Sequence, residues 1–372
     1  MNKRIAEVIP LMNTIPPEKY GGIELIAQEL SLGFAKKGYK IGVFCAKGSK
    51  LKEVNINLIE SSPYPTIQDL SKNRKFEINE FLKVLSNQSD FDFFHFHFEP
   101  IVLNCEVDSI EFNFLNFINK PVLITFHNTT HIGKHINFYK KHKNLWQYNY
   151  VFISENQKEP LKFFPNSSVI YNGVDIKRFV FKNKQGDYLL FLGRITDFKG
   201  ILEAIQIAKL ANKKLVIAAK VDPTDEDFYN RKVKPLIDGV KIVYVGEVDF
   251  NQKIEYLKNA LCLLFPIKWD EPFGLTLIEA MACGTPVVAF DRGSVNEIVE
   301  DRVTGFVVTN VDQAAEAIGK IGQIDRARCR ERVEKHFSLE RMLNAYEQLY
   351  KKLLALLLHQ QGIHFSYSPL KS

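Results

Sequence analysis

Two glutamates, Glu271 and Glu279, bound the stretch Trp269-Asp270-Glu271-Pro272-Phe273-Gly274-Leu275-Thr276-Leu277-Ile278-Glu279. Pro272 has no amide hydrogen and a fixed φ, which suits a first helical position and predicts a helix starting there. Phe273, Gly274, Leu275 and Thr276 then lie in its first turn, where free backbone N–H groups and the positive dipole end favour phosphate. Glu271 sits at the mouth of that site. Glu279 lies roughly 8–12 Å further along at ~1.5 Å per residue. A docked phosphate would have one carboxylate beside it and a second about a nucleotide's width away, placed for hydroxylated rings. The plain alternative is a pair of solvated acids near a helix N-terminus, where acids are favoured electrostatically.

A second pattern adds cations. Asp187-Tyr188-Leu189-Leu190-Phe191-Leu192-Gly193-Arg194 reads as a buried strand, and a helical pattern begins after Lys199-Gly200. Arg194 and Lys199 would project from the carboxyl end of that strand, where open α/β sheets bind ligands. A guanidinium can clamp a phosphate with two hydrogen bonds and an ammonium adds a point charge. Read blandly, they are an arginine and a lysine in a surface loop.

With both patterns present, the chain resembles the retaining glycosyltransferases of family 4, which have the GT-B fold. The resemblance rests on Glu271 and Glu279 as an E-x7-E signature and on Gly193, Arg194, Lys199 and Gly200 as a Gly-Arg-x4-Lys-Gly signature. Gly21-Gly22, Thr125-Phe126-His127, Asn172-Gly173-Val174-Asp175 and Gly284-Thr285-Pro286 follow in family order, across about residues 5 to 350. It implies that Arg194 and Lys199 hold a pyrophosphate, Glu279 the ribose hydroxyls and Glu271 the donor-sugar hydroxyls. His127 would touch the donor sugar near the reacting centre, and Gly22 would lie beside the β-phosphate. Val248, after a strand, would line the base pocket through backbone groups, which hides base identity. Family frequency favours a UDP-sugar over GDP-mannose. The acceptor would be a hydroxyl of a sugar, a lipid-linked glycan or a small molecule, in bacterial glycan or glycoconjugate synthesis. A GT-B sugar-nucleotide epimerase and a non-catalytic sugar-nucleotide-binding subunit share the architecture. The wording around Arg194 and Glu271 favours transfer over epimerisation, and the intact charged set argues against decay.

No metal or other cofactor is expected. Asp90-Phe91-Asp92 has metal-motif spacing, but it falls at a strand entrance away from the ligand edge. His95 and His97 share one face of a strand by period-two alternation. No third ligand is spaced near them in the sequence, so packing and positioning are their expected duties. Leaving-group charge would instead fall to Arg194, Lys199 and the helix start at Gly274.

These residues need an α/β frame. Strand-like and helix-like segments alternate throughout, which argues for two Rossmann-like parallel-sheet domains facing across a cleft. Strands are expected at 4–9, 40–45, 91–98, 121–126 and 150–154, then at 188–192, 214–218, 241–245, 261–265, 286–290 and 305–308. Helices are expected at 24–37, 76–85, 109–117, 201–211, 225–237, 251–259 and 274–283. The acceptor-side domain spans 1–172 and the donor-side domain 173–339, with a terminal helix at 340–358 crossing back and a mobile tail at 359–372.

At 372 residues and 46% hydrophobic content the chain can build two cores, and its 25% charged content is that of a globular protein. No apolar run is long enough to span a bilayer, and the start is too short and interrupted for a signal peptide. Five scattered cysteines show no zinc spacing, which points to reduced thiols and a cytoplasmic setting. The net charge of +6 permits peripheral contact with the cytoplasmic membrane face, and no nucleic-acid partner is expected. Basic and aromatic residues interleave at 134–146, a pattern open to a membrane patch or to an ordinary solvated face.

Overall fold

The structure, a computed structural model, describes residues 3–17, 21–64, 70–107, 110–128 and 132–360. The expected tail at 359–372 falls almost wholly outside the described residues. The first half runs β1 (Arg4–Val8), α1 (Gly22–Lys36), β2 (Lys40–Ala46), β3 (Ile56–Ser61), α2 (Leu70–Ser86), β4 (Phe93–Phe96), β5 (Asn104–Val107), β6 (Ile110–Asn113), β7 (Val122–Phe126), α3 (Ile132–Lys141), β8 (Asn149–Phe152), α4 (Glu155–Lys158) and β9 (Ser167–Val169). Seven of these strands form one parallel sheet in the order β3-β2-β1-β4-β7-β8-β9.

The second half comprises β10 (Tyr188–Arg194), α5 (Ile201–Leu210), β11 (Lys214–Lys220), α6 (Glu226–Phe228), β12 (Ile242–Gly246), α7 (Phe250–Asn259), β13 (Cys262–Phe265), α8 (Leu275–Ala282), β14 (Val287–Phe290), α9 (Val295–Ile298), β15 (Gly305–Val308), α10 (Val311–Lys320), α11 (Arg326–His336) and α12 (Leu339–Gln360). Its six strands are also parallel, in the order β12-β11-β10-β13-β14-β15. Parallel strands covered on both faces must be apolar along their length, as Leu189-Leu190-Phe191 and Leu263-Leu264 are.

Face assignment in the first sheet follows the pleat. Ala6, Val8, Phe94, Phe96, Val122, Ile124 and Phe126 point into one apolar cluster. Ile5, Ile9, Phe93 and Leu123 point into the other, which α12 completes with Met342, Leu343, Tyr346 and Tyr350. Period two therefore sends Glu7, His95 and Thr125 to the α12 face as well. The register sets Glu7 opposite His95 on neighbouring strands.

Two expected helices are absent. Residues 110–117 lie instead in β6, which pairs antiparallel with β5, and in a 3-10 turn over Phe114–Phe117; residue 109 is outside the described residues. Ile110, Phe112 and Phe114 alternate with polar residues, and that period-two pattern wins over helix. Residues 225–237 break into short α, π and 3-10 pieces, because Pro235 removes a helical hydrogen bond. Strands β3 and β9 and helices α3, α10 and α11 were not foreseen, although α3 and α10 are clearly amphipathic.

Several contacts set the two halves against each other. Val174 N donates to Phe337 O at 3.0 Å and Leu339 N to Val174 O at 2.9 Å, so the chain's two passages between halves lie side by side. A Cβ added at Gly173 would stand 2.4 Å from Ser338 O, so that closeness requires glycine. Glu297 of α9 accepts from the Glu155 and Asn156 amides, each at 2.8 Å, at the start of α4. Tyr171 OH donates to the same carboxylate at 2.9 Å.

Arg326 is buried and staples the second half. Its guanidinium donates to Lys182 O at 2.8 Å, Ala260 O and Lys258 O at 3.0 Å, and Thr285 Oγ1 at 2.7 Å. It thereby joins the end of α7 to the segment after α8. Arg326→Met would fill the volume and leave those acceptors unpaired, a loss of about 3 kcal/mol. Urea unfolding checks this; a stability within about 0.5 kcal/mol of the parent would contradict it.

Candidate active site

Lys199 ends a 3-10 turn, Asp197–Lys199, whose start is capped by Thr196 Oγ1 accepting from Lys199 N at 3.3 Å. Gly200 follows with φ +77°, and a Cβ there would lie 1.8 Å from Pro266 O. Glycine thus lets the turn press against the segment after β13. The result is a contact of 2.6 Å between Lys199 Nζ and Glu271 Oε2. Trp269 Nε1 donates to the same oxygen at 3.1 Å, and its ring lies 5.0 Å from the ammonium. Lys199 and Glu271 are each largely shielded from water, with side chains 15% and 9% exposed, so the pair acts at reduced dielectric. The expectation of an exposed loop lysine is corrected: the turn buries it against a partner.

Glu271 is held from behind. Ser294 N donates to Glu271 O at 2.9 Å, and Ser294 Oγ to Phe273 O at 3.0 Å. Gly293 has φ +60°, and a Cβ there would stand 2.3 Å from both Glu271 N and O.

The expected helix start at Pro272 is also corrected. α8 begins at Leu275, and Gly274 is its N-cap with φ +83°. Only glycine turns the chain that way without strain, and Glu271-Pro272-Phe273 forms a bent, non-helical approach to the helix. Leu275 and Thr276 then open the first turn, while Phe273 is buried. A Cβ at Gly22, the first residue of α1, would lie 3.6 Å from Leu275 Cδ1. Two helix N-termini, one from each half, thus meet, and Glu271 lies on the segment that leads into the second of them. Each favours an anion.

Arg194 is the last residue of β10, not a loop residue. Its Nε is 3.0 Å from Asp222 Oδ2 and its Nη2 3.5 Å from Asp225 Oδ2. The Nε–H is buried and has no acceptor in hydrogen-bonding geometry, so its contact with Asp222 is an ion pair rather than a formed hydrogen bond. Glu279 is buried within α8 and pairs with Lys253 Nζ from α7. Lys253 was not foreseen, although the capping box at Asp249 and Gln252 fixes the start of its helix. Val248 is half-buried in the turn between β12 and α7.

His127 follows β7 on the first half, and its Nε2 is 3.0 Å from His97 Nδ1. His97 Nε2 is 2.7 Å from Glu7 Oε2, and His95 Nδ1 is 3.0 Å from the same oxygen. Tyr350 OH donates to Glu7 Oε1 at 3.1 Å and lies 2.7 Å from His95 Nδ1. Thr125 Oγ1 joins His95 Nε2 at 2.7 Å to Tyr346 OH at 3.1 Å. Glu7 was missed; a lone acid in the apolar run Ile5-Ala6-Glu7-Val8-Ile9 was the available signal. It supplies the third ligand-type group that spacing did not reveal, so Glu7, His95 and His97 together have donor types that suit a metal ion. Their polar atoms already engage one another, Thr125 and Tyr350, and a cation would have to displace those bonds.

Burial works to raise the Glu7 carboxyl, but the His95 and His97 imidazoles outweigh it and hold it at about 2. Burial, helped by His95, lowers His97 to about 4. Burial and then the charges of His97 and His95 push His127 well below its ordinary value. Glu99, just past β4, is buried with Oε1 unpartnered, and burial pushes its carboxyl up to about 7.

Asp92 Oδ2 accepts from Arg4 N at 2.9 Å, at the amino edge of the sheet and away from these groups. In the basic and aromatic stretch, Tyr139 and Leu145 are buried, and Trp146 Nε1 donates to Tyr139 O at 3.0 Å. Those aromatic residues face the core. Among the described residues no helix is long and apolar enough to cross a membrane.

Comparison with known proteins gives two family matches, Glycosyltransferase Family 4 over residues 20–178 and Glycosyl transferases group 1 over 174–336. An uncharacterised glycosyltransferase of Methanocaldococcus jannaschii is 26% identical, over 82% of this chain and 86% of its own. The O-antigen chain mannosyltransferase C of Escherichia coli is 24% identical, over 93% and 98%. Among solved structures, the sucrose-phosphate synthase of Thermosynechococcus elongatus superposes with a TM-score of 0.76 at 19% identity, over 95% of this chain and all of its own. An Anabaena protein in complex with UDP and glucose gives 0.72 at 15%, over 94% and 100%. These likenesses establish the GT-B fold.

The Gly293 contact yields a test of how the site is propped. Gly293→Ala forces a Cβ into the Glu271 backbone at positive φ and is expected to destabilise by about 2 kcal/mol. Gly319→Ala, inside α10 with open space around it, is expected to be neutral or to stabilise by about 0.5 kcal/mol. Equal urea midpoints for the two variants would contradict the account.

Proposed function

We propose that this chain, which belongs to glycosyltransferase family 4 and has the GT-B fold, moves a sugar from a nucleotide diphosphate donor to a hydroxyl acceptor with retention of configuration. The observation that carries the reading is the meeting of the α1 and α8 N-termini, with the Lys199–Glu271 pair on the segment that leads into α8. A diphosphate seated there would meet backbone dipoles from both halves, the Lys199 ammonium and the Arg194 guanidinium, for which it would compete with Asp222 and Asp225. Departure of the nucleotide diphosphate builds negative charge on the bridging oxygen, and preorganised cations and amides stabilise it as it forms.

Glu271 then faces the donor-sugar hydroxyls and stabilises positive character at the anomeric carbon. When the diphosphate takes Lys199, the carboxylate exchanges an ammonium partner for sugar hydroxyls and keeps Trp269. Glu279 accepts from the ribose hydroxyls, held in place by Lys253. The turn at Val248 lines the base, and His127 meets the sugar from the opposite half. The departing phosphate, on the same face as the incoming hydroxyl, takes the acceptor's proton, so no protein base is needed. A UDP-sugar is the preferred donor, in keeping with the UDP and glucose in the Anabaena complex; GDP-mannose is the competitor. The acceptor is the hydroxyl of a sugar, a lipid-linked glycan or a small molecule, and a membrane-bound one would bring the protein to the membrane surface.

Lys199→Ala is expected to cut turnover by at least ~100-fold while the fold persists. Glu279→Gln is expected to weaken binding of the free nucleotide, because ribose contacts are made equally in ground and transition states. Release of nucleotide diphosphate from a panel of labelled donors, beside calorimetric titration, measures both. Near-normal turnover in Lys199→Ala would sink the diphosphate assignment, and donor consumption without any glycosylated product would favour epimerisation or hydrolysis.

Metal independence follows from the same charges, since a divalent ion on the diphosphate would duplicate them. Activity is expected to survive dialysis against excess EDTA. Complete loss, restored by magnesium or manganese, would overturn it and reopen Glu7, His95 and His97 as ligands.

A further inference from the structure

The row of groups behind His127 has a direction, and the direction starts at Glu7. That carboxyl is fully buried on β1 between two imidazoles, and His95, by charge and hydrogen bond, with His97, by hydrogen bond, holds it ionised at about 2 against the opposing effect of burial. An ionised carboxylate only accepts hydrogen bonds. The hydrogen in the 2.7 Å contact between Glu7 Oε2 and His97 Nε2 therefore sits on His97. His97, lowered to about 4 chiefly by burial, is neutral near pH 7 and carries one ring proton. Its Nδ1 is then a lone pair. The 3.0 Å contact from that Nδ1 to His127 Nε2 can be a hydrogen bond only if His127 Nε2 bears the proton. Reversing the chain would set a lone pair of His97 against the Glu7 carboxylate at 2.7 Å, a repulsive contact.

We propose that Glu7 and His97 are positioning residues that lock His127 in the Nε2–H tautomer, leaving Nδ1 to accept a hydrogen bond from a hydroxyl of the donor sugar. This rests on the glycosyl-transfer reading for the identity of the hydroxyl, and on the hydrogen-bond geometry alone for the tautomer. The lock is anchored from α12. Tyr350 OH donates to the second oxygen of Glu7, and Tyr346 reaches His95 through Thr125. The groups facing His127 and its partners are thus Glu7 on β1, His95 and His97 at β4, Thr125 on β7, and Tyr346 and Tyr350 on α12. A histidine so held cannot donate a ring proton to the sugar. It selects a donor hydroxyl that gives its hydrogen to the protein, and it aims that hydroxyl by the ring's fixed orientation.

Nitrogen NMR of the full chain labelled at its histidines tests the tautomer, with His127→Gln identifying the resonances. The expected result is a neutral His127 with a protonated-type Nε2 and an unprotonated-type Nδ1, unchanged between pH 6 and 8. An Nδ1–H tautomer, a charged ring in that range, or stoichiometric zinc bound by Glu7, His95 and His97 would overturn the proposal. Glu7→Gln offers His97 a donor as well as an acceptor, so the His127 signals should become those of a tautomer mixture. Turnover should fall about 10- to 100-fold, with affinity for UDP or GDP unchanged within about twofold. Unaltered signals and unaltered turnover in that variant would also overturn it. If Glu7→Gln does not fold, Tyr350→Phe replaces it, with the same pattern expected at smaller amplitude. Absence of transfer from every donor, with the Nε2–H signature intact, would instead refute the transferase reading and leave the tautomer lock standing.

Discussion

The distance between the chain at Gly173 and the chain at Ser338 governs much of this molecule. Backbone hydrogen bonds on either side of the pair leave no room for a side chain at 173. The two passages between the halves therefore behave as one narrow junction. Parallel sheets place all their carboxyl ends on one edge, so two sheets joined this way can bring their ligand edges face to face. The close approach of Gly22 to Leu275 is the outcome: residues far apart in sequence, each opening a helix, meet across the cleft.

A narrow junction alone would leave that geometry loose. Glu297 restrains it by accepting from the free amides at the start of α4, a helix too short to satisfy its own donors. α12 restrains it from the other side, packing Met342, Leu343, Tyr346 and Tyr350 into the first sheet's core. Tyr350 belongs both to that packing and to the hydrogen-bond row behind His127. The element that fastens the halves thus also touches the polar groups of the cleft, and motion of α12 would be felt at Glu7.

How much of this could be read from the residues differs by the physics involved. The strands with continuous apolar runs, such as Leu189-Leu190-Phe191 and Val122-Leu123-Ile124, were legible because burial on both faces leaves one pattern. The Lys199 and Glu271 stretches were legible as candidate ligand groups because glycine, proline and charge at fixed spacing restrict what a chain can do. The helix expected at 109–117 failed because a short alternating segment is governed by its partner strand, which lies outside any local window. The start of α8 was placed early because proline permits a first helical position without demanding it, whereas Gly274 at positive φ decides the matter. Glu7, Lys253 and Arg326 were illegible in function for a common reason. Each acts on residues brought near only by sheet order or helix packing.

The two halves also handle charge differently. In the second half, cations and carboxylates meet as partly shielded pairs, Lys199 with Glu271 and Lys253 with Glu279, and each pair can be reopened by a ligand that brings its own anions or hydroxyls. Such a pair keeps both members desolvated and aimed before the ligand arrives, which reduces the reorganisation needed when charge develops. In the first half, one fully buried carboxylate is compensated by imidazoles and a tyrosine hydroxyl, with no lysine or arginine among these partners. Imidazoles can divide a proton between two nitrogens, so compensation there also specifies which nitrogen of the next ring is protonated. Charge in the second half can exchange partners with a bound anion, while charge in the first half sets the direction of the hydrogen bonds that end at His127.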